Sequence, residues 1–171
     1  GASLPGGASC NFSVNVTALT AGVKNNSVTV DSLNGGTGNT SNASLTVVGT
    51  APPGITKVFG AASVPLNGTT SLSFTLNNPN ATVALSNVSF FDSLPSVLVV
   101  ATPNGLTGSC GGGTITATAG DNYVQLAGAS LPGGASCNFS VNVTGLTAGV
   151  KNNSVTASSI NGGTGNTSNA S

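Results

Sequence analysis

The stretch Cys137-Asn138-Phe139-Ser140-Val141-Asn142-Val143-Thr144 alternates strictly between apolar and polar residues. A period of two is the signature of a strand with one buried face, so Cys137, Phe139, Val141 and Val143 face a core and the four polar residues face out. Cys10–Thr17 carries the same pattern, and Leu72, Phe74 and Leu76 alternate with Ser71, Ser73 and Thr75. Val88, Phe90 and Asp92 share one face. Further strands are expected at 55–59, 96–101, 114–118, 123–126 and 154–157, with a last one at 45–48. Between them stand turn signals: Asn67-Gly68, Asn78-Pro79, Asn104-Gly105, Leu131-Pro132-Gly133 and Asn161-Gly162. Short strands at this spacing, with no helical periodicity, predict an all-β, antiparallel β-sandwich of about seven to nine strands.

The stretch also belongs to a duplication. Residues 1–44 reappear as 128–171, an offset of 127, with only Ala18/Gly145, Val30/Ala157, Asp31/Ser158 and Leu33/Ile160 differing. A period this long describes a tandem array of whole domains rather than a solenoid of small units. The expected organisation is residues 1–49 as the last third of one repeat, 50–53 as a linker (Thr50-Ala51-Pro52-Pro53), and 54–171 as a nearly complete sandwich. Residues 1–50 hold about three strands and are not expected to fold alone. The first segment is therefore either part of a window cut from a long array or a set of strands donated to a neighbouring copy. With no methionine and no leader, the chain reads as a mature or internal piece of a longer protein.

Composition excludes several classes of function. Only Lys24, Lys57, Lys151, Asp31, Asp92 and Asp121 are charged, and there is no Glu, Arg, His, Met or Trp. Histidine-based triads, imidazole acid–base chemistry and histidine metal sites are thereby excluded. Isolated lysines do not make a nucleic-acid footprint. The apolar runs are too short to span a membrane. Ser, Thr, Asn and Gly make up about half the chain, yet 38% is hydrophobic and the net charge is zero, so the chain departs from the disordered type. Removing charge removes the repulsion that keeps soluble proteins apart, which suits a polymer with many neighbours.

Three stretches carry a family resemblance: ITKVFGAASVPLNGTTSLSFTLNNPN (55–80), NVSFFDSLPSVLVV (87–100) and LPGGASCNFSVNVTGLTAGVKNNSVTASS (131–159). In order and spacing they resemble the conserved-repeat domain of unknown function found in bacterial and archaeal surface proteins. The marks are a Lys in the first strand, an Asn-rich turn after the second, Phe-x-Asp-x-Leu-Pro, and Gly-x-x-x-Asn before a Val-Thr strand. Lys151 departs from a usually aromatic position, and Ser96-Val97 from a usual Ala-Gly. The resemblance covers 54–171 and implies an immunoglobulin-like sandwich used in tandem on cell surfaces.

The duplication accounts for an odd number of cysteines. Cys10 is the copy of Cys137, and a copy of Cys110 would fall eighteen residues before Gly1. Cys110–Cys137 is the expected disulfide, with the partner of Cys10 outside the window; buried free thiols are the alternative. A disulfide implies an oxidising, extracellular or cell-surface setting. Zinc is not expected from two cysteines without histidine. Calcium is not expected from Asp31 and Asp121-Asn122. No metal or other cofactor is therefore expected.

Lys57, Asp92 and Asn153 all fall on inward faces, Lys57 with Ile55 and Phe59, Asn153 with Val155 and Ala157. A lysine, an acid and an asparagine converging in a core are the parts of an intramolecular isopeptide bond, and the resemblance to surface sandwiches points the same way. The alternatives are a Lys57–Asp92 ion pair, or Asp92 capping the turn into Leu94-Pro95. A register slip of one would bring in Asn152 instead. Lys24 and Lys151 read as solvated edge residues. Asn-x-Ser/Thr triplets are numerous; Asn11, Asn15, Asn138 and Asn142 lie on outward positions open to glycosylation.

The function expected from these readings is non-enzymatic. It is a structural repeat of an extracellular filament, sheath or surface layer, whose partners are copies of itself, lateral and head to tail. The alternatives are spacer repeats in an adhesin stalk and a surface that binds glycans or ice. With Tyr123 the only tyrosine, sequence offers no aromatic platform for sugars.

Overall fold

The computed structural model describes Gly1–Ser171 as two units, Gly1–Gly49 and Thr50–Ser171. The chain is all-β, as the alternation predicts.

In the first unit, β1 (Gly22–Ser32) and β2 (Gly36–Val47) form an antiparallel hairpin. The Thr29 and Thr40 hydroxyls meet across it at 2.6 Å. Cys10–Thr17, expected to be a strand, forms none. The same sequence in the second unit is a central strand between two neighbours. A ladder needs partners for its N–H and C=O groups, and alternation alone does not supply them.

The second unit holds ten strands, more than the seven to nine expected. These are β3 (Gly54–Phe59), β4 (Thr69–Asn77), β5 (Leu85–Ser93), β6 (Leu98–Val100), β7 (Thr107–Ser109), β8 (Thr114–Thr116), β9 (Tyr123–Leu131), β10 (Ser136–Gly145), β11 (Asn153–Ser159) and β12 (Gly163–Ala170). The excess comes from three-residue strands and from β12. One sheet runs β3-β4-β10-β6, with β7 also on β10; the other runs β12-β11-β5-β9-β8. All pairings are antiparallel.

The inner faces of the two sheets share one core. Leu72, Phe74, Leu76, Phe139, Val141 and Val143 come from the first sheet, and Val88, Phe90, Val124, Leu126, Val155 and Ala157 from the second. Phe74 joins them at the centre, 4.9 Å from the Phe90 ring and 5.1 Å from Phe139. On outer faces, hydroxyl pairs replace charges: Thr69 with Thr144 at 3.0 Å, Thr156 with Thr167 at 2.7 Å.

Thr50–Pro53, read as a linker, lies against the sandwich. The Ala51 N–H donates to Asn80 Oδ1 at 2.7 Å, Asn80 Nδ2 donates to the Ala51 carbonyl at 2.9 Å, and Pro53 is buried. β12 approaches so closely that a Cβ on Gly165 would collide with the Pro53 carbonyl.

Candidate functional site

The charged groups of the core sit at the edge where the two sheets meet. β3 pairs through its backbone with β4, placing Lys57 opposite Phe74. Its other edge is held by side chains of β12. Asn166 accepts from the Ile55 N–H and donates to the Ile55 carbonyl, both at 2.9 Å, and Ser168 Oγ accepts from the Lys57 N–H at 2.8 Å. The first strand of one sheet is thus locked to the last of the other, with the Lys57 side chain aimed inward.

Asp92 reaches the same place by alternation with Val88 and Phe90 on β5. Ahead of them the pairing with β9 is bulged: β5 carries one extra residue between Leu85 and Val88, where Asn87 has φ 51°, and β9 one between Leu126 and Ala129. The extra residue on β5 lets Leu85 and Asp92, seven positions apart, share the inner face that strict alternation would deny them. Asn153 opens β11 and points inward with Val155 and Ala157.

The three groups touch. Lys57 Nζ lies 3.1 Å from Asp92 Oδ1, and Asn153 Nδ2 donates to Asp92 Oδ2 at 3.1 Å. Lys57 and Asp92 are sealed from solvent and Asn153 is 5% exposed. Burial dominates both charged groups. It pushes the Lys57 ammonium below the usual lysine range, against the pull of the Asp92 charge. It pushes the Asp92 carboxyl above the usual carboxylate range, against its contacts with Lys57 and Asn153. Both shifts favour neutral forms, a free amine beside a carboxylic acid. Such a cluster has the parts for acyl transfer between its own members.

Asn152 is exposed, and the Leu94 N–H donates to the Asn122 carbonyl rather than to Asp92. Cys110 and Cys137 are disulfide-bonded, tying β10 to the connection between β7 and β8, and Cys10 is free and exposed. Asn11, Asn15 and Asn138 are exposed; Asn142 is half-buried. Lys24 and Lys151 bond to Thr20 and Thr147 hydroxyls at the surface.

Two features escape a reading of the sequence. Asn78, read only as a turn residue, is buried; its Nδ2 reaches the Val83, Leu131 and Pro132 carbonyls, and its Oδ1 accepts from Asn80. The Asn-Pro pair signals the turn but not this span. Phe91 and Tyr123 stack on the outer face with ring centres 5.0 Å apart, a pairing that depends on the β5–β9 register.

The family model described as "Domain of unknown function (DUF7933)" matches residues 53–171. The chain belongs to the DUF7933 family. The match takes in all ten strands of the second unit and all three residues of the buried cluster. No curated protein matches the chain. Among solved structures, the DUF7933 chain is similar to a non-cellulosomal cohesin from the archaeon Archaeoglobus fulgidus (17% identity, 68% of this chain and 88% of that one, TM-score 0.41). It is also similar to the RrgB pilus protein of Streptococcus pneumoniae (14%, 73% and 25%, TM-score 0.44). A third similarity is to the collagen-binding domain of a Staphylococcus aureus adhesin (14%, 72% and 99%, TM-score 0.40).

Proposed function

We propose that this chain is a non-enzymatic structural repeat of an extracellular filament, sheath or surface layer, joined head to tail from disulfide-stapled sandwiches. The observation that carries this reading is the duplication: residues 1–44 return as 128–171 with four differences, and the second copy supplies β10, β11 and β12 of a disulfide-bonded sandwich. In that sandwich Phe139, Val141 and Val143 on β10 and Val155 and Ala157 on β11 line one core with residues of β4, β5 and β9. A copy of the same residues needs more sandwich of the same type to bury them.

Composition supports the same reading. With six charged residues, contacts between units are little affected by salt or pH, and Thr, Ser and Asn surfaces pack closely. A disulfide fits an oxidising compartment.

Electron microscopy of the native material tests the proposal. Regular filaments or sheets with laterally touching subunits and an axial unit of about 35–50 Å are expected from strands of this length. Isolated thin rods ending in a different domain would overturn it in favour of an adhesin stalk.

A further inference from the structure

We propose that Lys57 and Asn153 become joined by an isopeptide bond, with Asp92 as the catalytic residue. Two of the chain's six charged side chains lie sealed in the core, in contact with each other. The same carboxyl group holds the Asn153 carboxamide on its second oxygen, so one acid bridges a nucleophile and an acyl donor. A lysine attacks only as the free amine, and burial favours that form. As a mere ion pair, the cluster would keep two desolvated charges where apolar side chains of equal size would serve as well. As an amide beside a carboxylic acid, it leaves no charge in the core.

The step balances without any other reactant. Nζ attacks Cγ of Asn153, forming the new C–N bond. Asp92, protonated, gives its proton through Oδ2 to Nδ2 as the Cγ–Nδ2 bond breaks, and ammonia leaves. Oδ1 takes a proton from Nζ, which regenerates the acid. Each oxygen already faces the nitrogen it serves, at 3.1 Å in both cases. The product ties β3 in one sheet to β11 in the other. Tension along the chain would then cross from residue 57 to 153 directly, bypassing the strands between. This inference is independent of assembly, since an isolated sandwich carries all three groups.

Trypsin reads the bond out simply, because the chain has three lysines and no arginine. Unreacted, the reduced and denatured protein yields residues 1–24, 25–57, 58–151 and 152–171. With Lys57 acylated, cleavage there is blocked, and the expected product is 25–151 joined to 152–171. The intact reduced chain is expected about 17 Da light, one ammonia. Lys57→Met, Asn153→Ala and Asp92→Asn are each expected at full mass. Lys57→Met replaces the lysine with an apolar chain of similar length and decides the matter should Asp92→Asn fail to fold. Asn26→Ala, at the exposed copy of Asn153, is expected to keep the loss. Recovery of 25–57 as a separate peptide from the wild-type chain, or a deficit that persists in Lys57→Met, would overturn the proposal.

Discussion

Residues 1–44 and 128–171 are nearly the same sequence in two environments. Phe139 is 2% exposed and Phe12 is 94%; Val155 is 3% exposed and Val28 is 63%. Residues 136–145 are a central strand, while Cys10–Thr17 is not a strand at all. The hairpin, by contrast, forms in both, with the same irregularity after Thr29 and after Thr156. A hairpin satisfies its own ladder locally, whereas a central strand needs two neighbours distant in sequence. Propensity and pattern are equal in the two copies, so the difference measures what tertiary neighbours contribute.

Paired substitutions sharpen this contrast. The largest effect is expected for Phe139→Ala, which removes a ring from the central stack and is expected to cost about 3–5 kcal/mol in denaturant unfolding of the sandwich. Phe12→Ala should change it by less than about 0.5 kcal/mol. An equal cost at both sites would break the comparison and place Phe12 in a core of its own. Next comes Cys137→Ser, which opens a loop of sequence separation 27. The chain-entropy model puts the loss at about 3.5 kcal/mol, with Cys10→Ser silent. Titration of the native chain should count one reactive thiol. The smallest effect is expected at the glycines of the last strands. Gly165→Ala must push β12 away from Pro53 and is expected to cost about 1–3 kcal/mol. Gly38→Ala meets only the Val30 side chain and carbonyl, at 3.1 and 3.3 Å, and is expected to cost less, as read from thermal unfolding.

Legibility in the sequence follows the range of the interactions concerned. The inward faces of β3, β4, β5, β10 and β11 are readable because period-two alternation is a local property. β12 is not readable: Gly163–Ala170 contains no large apolar residue. It is a strand because it pairs with β11, because Asn166 and Ser168 bond the β3 backbone, and because Gly165 fits against Pro53. The departure at Ser96-Val97 is readable as a departure, but its meaning is conformational. Leu98 N–H closes the turn onto the Pro95 carbonyl, and Val97 takes φ 58°, a left-handed backbone that a β-branched residue adopts at a cost of about 1–3 kcal/mol. A glycine there would be free of that cost.

That Lys57, Asp92 and Asn153 point inward, that Cys10 and Cys137 are copies, and that residues 1–44 return as 128–171 are all legible along the chain. Each of these depends on alternation or identity along the chain. Only the tertiary structure decided that the three inward groups stand at one depth, on the two oxygens of one carboxyl. That depends on the β3–β4 register, the β5–β9 register and the lock of β12 on β3, all set by hydrogen bonds between strands far apart in sequence. The same cause separates Phe139 from Phe12. Alternation says which side of a strand is apolar, and only a neighbouring sheet makes that side a core.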